Sequence, residues 1–243
     1  MNKIAIVIPL RQTLDLSEDE KISLRHLDYY LKKYDKFFII SNSFSEAEKL
    51  QYQSIRFDDK YFGDNKRHSK LLLSECFYSE FKNYDYILIY HTDSLVFSDE
   101  LIYWSSKGYD YIGALWVKCS DTPWVRKNEQ ERAGNGGFSL RNVKNFLKVL
   151  DIAHKEVEQW PQIFKGSYNK DLFNTGNEDL FWSYQAVHYL QSFRVASFNE
   201  GLKFAFEAAP EICYNRNQKQ IPFGCHAWNR YNRKFWEPYL LKY

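Results

Sequence analysis

The chain has 243 residues, which is enough for one large α/β domain or two small ones. Its formal net charge is only +2, which gives no sign of the concentrated basic surface of a nucleic-acid-binding protein. No segment approaches the roughly 20 consecutive apolar residues of a membrane-spanning helix, which argues against an integral membrane protein.

The N-terminus and the cysteines predict a cytoplasmic protein. The apolar run Ile4–Pro9 is too short for a signal peptide and lacks a small-residue cleavage site, so we interpret it as the first strand. The cysteines form no C-x-x-C pair and no zinc pattern with the histidines, which favours free thiols in a reducing compartment. They are Cys76, Cys119, Cys213 and Cys225.

Strand and helix signals alternate over the first hundred residues. The predicted elements are a strand at Ile4–Ile8, a helix from Ser17 to about Tyr34, a strand at Phe37–Ile40, a short helix at Glu46–Gln51, a short strand at Ile55–Phe57, a helix at Arg67–Phe81 and a strand at Asp85–Tyr90. Ser17 and Glu20 match a capping box, which marks the start of the first helix. Strands that alternate with helices predict βαβ units and a largely parallel sheet.

The second half of the chain is less regular. Its predicted elements are a helix from Ser98 to Gly108, a strand at Tyr109–Ala114, a strand at Phe138–Arg141, a helix from about Asn142 to His154, a helix at Asn177–Tyr189 and short strands near Arg194–Phe198 and Leu202–Phe206. The segments Lys118–Ala133 and Trp160–Gly176 read as irregular, and the first is a candidate loop over a site. Without a repeat or a long linker, one compact domain is the simplest account.

The strand at Asp85–Tyr90 ends abruptly in the polar residues His91, Thr92 and Asp93. Its continuous apolar run predicts a buried central strand. In open α/β sheets, ligands bind just beyond the carboxyl ends of the strands. A carboxylate at that place can hold a divalent cation, and the cation can bind a diphosphate. Taken alone, an Asp after a strand more often begins a turn.

Two further motifs carry a functional and a structural interpretation each. Three glycines in Gly134–Gly137 permit positive φ and close approach of a ligand, and a tight turn explains them nearly as well. Glu178 and Asp179 stand at a predicted helix start, where acids interact favourably with the helix dipole. Alternatively, one of them is a general base, and only one can face a ligand because neighbouring helical side chains diverge by about 100°.

The C-terminal part adds a histidine and a basic, aromatic tail. His226 lies among aromatic residues, where a histidine is usually a packed core residue. As a metal ligand, its neutral imidazole would favour Mn²⁺ over Mg²⁺. The tail from Arg230 to Tyr243 interleaves cations with aromatic rings, which suits an anionic lipid surface, a phosphate or a solvated segment that covers the sheet.

In combination, these motifs resemble a bacterial and viral family of poorly characterised glycosyltransferase-like domains with the GT-A nucleotide-diphospho-sugar transferase fold. The resemblance spans nearly the whole chain. The motifs are His91–Asp93 (HTD), Tyr109–Trp116 (YDYIGALW), Gly134–Arg141 (GNGGFSLR), Asn177–Asp179 (NED) and Phe223–Trp228 (FGCHAW). The resemblance implies a single α/β, Rossmann-like domain with a central, mostly parallel twisted sheet flanked by helices. Residues 1–116 would form the nucleotide-sugar-binding half, and residues 117–243 the acceptor and catalytic half with the tail.

The resemblance also implies roles for individual residues. Asp93 matches the last acid of the D-x-D motif, which binds the metal that bridges the donor diphosphate, and His226 matches the histidine that completes the metal shell. Asp179 matches the catalytic base of inverting members, with Glu178 beside it as a second candidate catalytic residue. His91 replaces the first acid of D-x-D, and it could hydrogen-bond the ribose or be a ligand itself.

The remaining implied contacts concern the donor. Gly136 and Gly137 belong to the segment that lines the pocket for the donor sugar and the acceptor. Arg11 and Lys70 fall where nucleotide contacts are commonly made.

The resemblance therefore implies transfer of a sugar from a nucleotide-diphosphate donor to a hydroxyl of a glycan or other acceptor, with Mn²⁺ or Mg²⁺ and inversion, in bacterial polysaccharide or glycoconjugate synthesis. The tail suggests peripheral contact with the inner face of a membrane. A sugar nucleotidyltransferase is a rival, but the segment Pro9–Thr13 lacks the glycine-rich loop of those enzymes. A non-catalytic carbohydrate-binding module on a degenerate transferase fold is the other alternative.

Overall fold

The computed structural model of the protein describes residues 2–122, 125, 131–159 and 177–242, without the side chains of 156–159. The predicted irregular segment Trp160–Gly176, and positions 123–124 and 126–130 of the predicted loop Lys118–Ala133, lie outside these ranges. The strands are β1 (Ile4–Pro9), β2 (Asp35–Ser41), β3 (Gln53–Phe57), β4 (Tyr86–Tyr90), β5 (Leu95–Val96), β6 (Tyr111–Trp116), β7 (Arg132–Asn142), β8 (Ala205–Phe206) and β9 (Gly224–Cys225).

Helices lie between these strands. The α-helices are α1 (Glu18–Tyr30), α2 (Asn65–Leu72), α3 (Glu75–Ser79), α4 (Leu101–Ser106), α5 (Val143–Gln159), α6 (Glu178–Leu180), α7 (Ala186–Tyr189), α8 (Phe198–Phe204), α9 (Pro210–Arg216) and α10 (Arg233–Trp236). A π-helical turn, Phe181–Gln185, joins α6 to α7. Short 3-10 helices lie at Ala47–Lys49, Asp59–Tyr61 and Glu237–Tyr239.

The central sheet has six strands in the order β3-β2-β1-β4-β7-β6. The first four are parallel, and β7 runs antiparallel to both of its neighbours. Helices cover both faces, so β1 and β4 bury alternate side chains in two separate cores. This burial on both faces explains their continuous apolar sequences. The predicted α/β class, with a central and mostly parallel sheet, is confirmed.

A second, three-stranded sheet brings three distant segments to one edge. Its order is β5-β9-β8, with β8 parallel and β5 antiparallel to β9. Cys225 pairs with Phe206, so the next residues along the two parallel strands, His226 and Glu207, leave the sheet side by side. Because β5 runs the opposite way, the residues before it, including Asp93, reach the same edge.

Several predicted elements differ in detail. The helix predicted over Arg67–Phe81 is split into α2 and α3, with the break at Leu73–Ser74. The strand predicted near Arg194–Phe198 is reduced to a single parallel bridge between Val195 and Tyr111. The strand predicted near Leu202–Phe206 is confined to Ala205–Phe206, because helix α8 extends to Phe204. The reason is an N-cap, because the Ser197 hydroxyl accepts a hydrogen bond from the Glu200 amide.

The C-terminal tail packs on the domain. Trp236 is fully buried and stacks on Phe97 at 5.3 Å between ring centroids. The Leu241 amide donates to Nε2 of His26, 3.0 Å away. Across the ranges that the structure covers, no helix is both long and apolar enough to cross a bilayer. Membrane contact through the tail stays a prediction.

Candidate active site

One carboxylate and two imidazoles, which are both common metal ligands, lie close together at the carboxyl end of β4. Asp93 follows β4, and its Oδ1 lies 3.4 Å from Nε2 of His226, which follows β9. One ring nitrogen of His91 joins them, so that potential ligand atoms of the three residues all lie within 4.8 Å of one another. More than a third of the Asp93 side chain is exposed, which leaves the group open to a ligand.

Glu207 binds the Nδ1 side of the His226 ring, while Asp93 faces Nε2. Its Oε1 lies 3.2 Å from Nδ1 of His226, and the same oxygen accepts a hydrogen bond from Nδ2 of Asn135 at 2.9 Å. A carboxylate on Nδ1 places the proton there and directs Nε2 toward Asp93, which is the usual arrangement behind a metal-bound histidine. Sequence reasoning missed Glu207, since the only signal was an acid within an otherwise apolar stretch after Phe206.

Electrostatics couples these groups. Burial by itself would raise the pKa of Asp93, but the neighbouring His226 outweighs it and the pKa is lowered. Burial would lower the pKa of His226, but Asp93 and Glu207 raise it to about 10. Burial, with nearby His68 and His226, lowers the pKa of His91. The cluster therefore holds an anionic Asp93, a His226 proton that a cation could replace, and a neutral His91.

The donor set fits a divalent cation. Asp93 provides an oxygen and His226 a nitrogen, and these types suit Mn²⁺ better than Mg²⁺, which prefers oxygen ligands. Nε2 of His91 is buried without a hydrogen-bond partner in the described part of the chain, as is Oε2 of Glu207. Buried polar atoms normally have partners, and a cation bound at the cluster would supply one for the His91 ring.

The glycine-rich segment is part of β7 and not a separate turn. The pairing of β6 with β7 is irregular here, since Gly113 pairs with Ser139 while Ala114 pairs with Asn135. The φ angles of Gly136 and Gly137 are not positive, so a need for positive φ does not explain why glycine stands at these positions. A Cβ at Gly136 would overlap the Glu178 carboxylate, and one at Gly137 would overlap the His226 ring. These glycines make room for the site's side chains.

We therefore expect Gly137→Ala to displace His226. Overpacking of this kind costs about 1–3 kcal/mol of stability, and a shifted ligand should weaken Mn²⁺ binding by roughly tenfold or more. Titration calorimetry with Mn²⁺ and thermal unfolding measure the two effects. Gly134→Ala is the control, because its Cβ would meet Trp116 at 2.6 Å, away from the cluster. It should lose stability and keep its Mn²⁺ affinity, and equal affinity losses in both variants would contradict this account.

Glu178 is engaged in a buried ion pair. Its two carboxylate oxygens each accept a 2.9 Å hydrogen bond from the guanidinium of Arg141, which is fully buried. Arg141 also donates to the Tyr78 hydroxyl and to Ser139. This pair fastens the start of α6 to the centre of β7, and it was not predicted from the sequence.

Glu178 uses both of its carboxylate oxygens to bind Arg141, whereas the Asp179 carboxylate binds a backbone amide. Its Oδ1 accepts from the Leu180 amide at 2.8 Å. Burial, followed by the charges of Glu178 and Glu207, raises the pKa of Asp179 to about 7. A carboxylate with a pKa near neutrality is suited to general-base catalysis. Trp182, in the π-helical turn that follows, anchors this segment by stacking on Phe146 at 3.8 Å.

A cavity of about 540 Å³ opens beside Asp93, between the loop after β1 and the start of α2. Arg11 stands at its rim and forms an ion pair with Glu20, which also accepts a hydrogen bond from Thr92 at 2.7 Å. The cavity is lined by Pro9, Leu10, Arg11, Gln12, Glu20, Tyr61, Phe62, Gly63, Asp64, Asn65, His68, His91, Thr92 and Asp93. Lys70 is not among them, because its exposed side chain lines a separate cavity of about 500 Å³.

The site therefore gathers most of the residues singled out in the sequence. His91, Asp93 and His226 form the cluster, Gly136 and Gly137 line its base, and Glu178 and Asp179 begin the helix beside it. Arg11 lines the same cavity as Asp93 and is linked to Thr92 through Glu20, whereas Lys70 lines a separate cavity.

A protein-family model described as "Protein of unknown function (DUF5672)" matches residues 51–226. The chain belongs to this family. The DUF5672 match includes Asp93, the glycine-rich strand, Asp179 and His226, so the whole cluster lies within the family's own region. No curated protein matches the chain.

Two solved structures with a similar fold are glycosyltransferases. Mouse xyloside xylosyltransferase 1 is 14% identical with a TM-score of 0.51, covering 93% of this chain and 97% of that one. The glycosyltransferase GlyE of Streptococcus pneumoniae TIGR4 is 13% identical with a TM-score of 0.50, and the match covers all of this DUF5672 chain and 61% of GlyE. At such identities the likeness establishes the fold, which is of the GT-A glycosyltransferase type.

Proposed function

We propose that this protein transfers a glycosyl group from a nucleoside-diphosphate sugar to a hydroxyl acceptor, with inversion at the anomeric carbon. One observation carries the proposal. The cluster of His91, Asp93 and His226 lies at the carboxyl edge of a GT-A sheet, next to a carboxylate, Asp179, whose pKa is raised. Ligand sites of open α/β sheets lie at this edge.

The donor would occupy the cavity between β1 and α2. Its 540 Å³ suits a nucleotide, and Arg11 at the rim offers a cation to phosphate oxygens. Residues 1–116 would thus bind the nucleotide, and residues 117–243 would supply Asp179, His226 and the glycine-rich floor under the sugar. The diphosphate would lie against Asp93 and His226.

Asp93 and His226 would hold a divalent cation, whose charge would neutralise the charge that develops on the leaving diphosphate. Glu207 would keep the His226 ring in the orientation that ligation requires. Asn135 would in turn hold Glu207 and, through its Oδ1, the Gly137 amide at 2.8 Å.

Asp179 would take the proton from the acceptor hydroxyl as that oxygen attacks the anomeric carbon. The bond from this carbon to the diphosphate oxygen breaks as the new bond forms on the opposite face, which inverts the centre. Glu178 would contribute as a positioning residue, because Arg141 already occupies both of its oxygens. Of the two acids at the start of α6, Asp179 is therefore the one we assign as base.

The test is release of nucleoside diphosphate from UDP-, GDP-, CDP- and dTDP-sugars in the presence of Mn²⁺ or Mg²⁺, with simple glycosides as acceptors. We expect turnover of donors with one base, and a loss of roughly 10²-fold or more in Asp93→Ala. Asp99→Ala is the matched control, because Asp99 is a surface acid paired with Lys33. A protein that binds glycans but consumes no donor would support the carbohydrate-binding alternative. Release of pyrophosphate from a sugar phosphate and a nucleoside triphosphate would support the nucleotidyltransferase.

A further inference from the structure

We propose that His91 is itself a metal ligand, so that two imidazoles and one carboxylate form the protein's share of the coordination shell and select Mn²⁺ or a later transition cation over Mg²⁺. The inference rests on the proposed function in that it concerns the same cation. It chooses between the two roles, ribose contact and metal ligand, that the sequence leaves open for this histidine.

One ring nitrogen of His91 is buried and, within the described ranges, unpaired. Nε2 of His91 is inaccessible to solvent and has no hydrogen-bond partner among the described residues. A buried polar atom without a partner is destabilising, because it has lost its hydrogen bonds to water and gained none in the fold. A metal between His91, Asp93 and His226 would give the His91 ring a partner, since one of its nitrogens and ligand atoms of the other two residues already lie within 4.8 Å of one another.

Backbone hydrogen bonds fix His91 in place. Its amide donates to the carbonyl of Gly137 at 2.9 Å, and its carbonyl accepts from the Ser94 amide at 2.9 Å. Its ring packs edge-on against the His226 ring at 5.4 Å between centroids. The imidazole is therefore held beside the other potential ligands before any cation binds, which lowers the cost of forming the site.

The ligand chemistry of imidazole also favours a transition metal at this site. Imidazole nitrogen suits first-row transition metals, whereas Mg²⁺ is held almost entirely by oxygen. An aspartate at position 91 would give an oxygen-rich site with a second negative charge. With His91, Asp93 is the only carboxylate of the three ligands, so the attraction for Mg²⁺ is weaker while two nitrogens favour Mn²⁺ and the metals that follow it in the stability order.

The experiment counts nitrogens on the metal directly. Purified protein is stripped of metal and loaded with Mn²⁺ without nucleotide, and pulsed electron paramagnetic resonance detects the couplings to ligand ¹⁴N. We expect two coupled nitrogens in the wild type, and one in His91→Asp and in His226→Asn. His68→Gln is the matched control, because the His68 ring packs against His91 at 5.4 Å but does not belong to the cluster. It should retain both couplings.

Metal preference is the second measurement. By titration calorimetry, His91→Asp should shift the ratio of Mn²⁺ to Mg²⁺ affinity toward Mg²⁺ by roughly tenfold or more. If His91→Asp does not fold, the wild type and His226→Asn still decide the question. One nitrogen in the wild type and none in His226→Asn would overturn the inference.

These measurements separate the inference from the proposed function. Two nitrogens on the metal in a protein that consumes no nucleotide sugar would uphold His91 as a ligand and reject the transferase. Donor turnover with a single nitrogen on the metal would uphold the transferase and reject the role of His91.

Discussion

Asp179→Asn should lower glycosyl transfer by about 10²–10⁴-fold, while the affinity for the donor nucleotide stays within a few-fold of the wild type. The range is what a positioned general base contributes. Asparagine keeps the shape of the side chain but cannot accept the proton of the attacking hydroxyl. Initial rates and nucleotide titrations measure the two quantities. A variant that loses donor binding together with activity would contradict the assignment of Asp179 as base.

The pH dependence offers an independent check on the same residue. Because the pKa of Asp179 is about 7 in the fold, the wild-type rate should rise with pH through that value. The raised pKa also means that the fold disfavours the ionised carboxylate, at a cost of up to roughly 4 kcal/mol above pH 7. Asp179→Asn should therefore melt at a higher temperature than the wild type at pH 8, and this gain should vanish near pH 4. An equal difference at both values would exclude a raised pKa.

Arg141→Met should destabilise the protein by about 3–5 kcal/mol, the usual cost of leaving one member of a buried ion pair without its partner. The Glu178 side chain is 7% exposed, so water cannot replace the guanidinium. The start of α6, which carries Asp179, would lose its attachment to β7. Chemical denaturation followed by tryptophan fluorescence measures the change.

Two controls sharpen the Arg141 experiment. Arg216→Met removes a similar two-pronged contact with Glu131, but Arg216 is 39% exposed, so the loss should stay below about 1 kcal/mol. The double variant Arg141→Met with Glu178→Leu should recover most of the lost stability, because no buried charge remains. If Arg141→Met by itself loses less than about 1 kcal/mol, Glu178 is not buried as described.

The central strands and the helix ends were predicted well from the sequence, because they depend on local signals. Runs such as Ile4–Pro9 and Tyr86–Tyr90 are apolar on both faces, which only a central strand between two helical layers requires. The capping box at Ser17 marked the start of α1, and both of its hydrogen bonds are present. Gly108 follows α4 with φ of +68°, as a helix-ending glycine should.

The second sheet could not be predicted, because its strands are two residues long and are held together by non-local pairing. Ala205–Phe206 pairs with Gly224–Cys225 across 17 intervening residues, and no local pattern marks that register. This pairing alone brings Glu207 beside His226. The sequence therefore suggested His226 as a ligand but could not reveal the carboxylate that orients it.

The rest of the site could not be predicted, because it depends on which side chains meet in the fold. The glycines of β7 were conspicuous, but the sequence cannot distinguish a need for positive φ from a need for space, and here the space is filled by Glu178 and His226. Glu178 and Asp179 are adjacent acids at a helix start, so the local sequence does not distinguish their roles. Arg141, 37 residues away in the chain, separates their roles by pairing with only one of them.

The central claim is most directly tested by thermal unfolding in the presence of UDP, GDP, CDP or dTDP, each with Mn²⁺, with Mg²⁺ or with EDTA. A ligand that binds only the folded protein at 100 times its dissociation constant stabilises it by about 2.7 kcal/mol, which is easily measured as a higher melting temperature. We expect one nucleotide to stabilise the protein with Mn²⁺, and this effect to disappear with EDTA and in Asp93→Ala. No shift with any nucleotide under any of these conditions would contradict a nucleotide-sugar site at the carboxyl edge of the sheet.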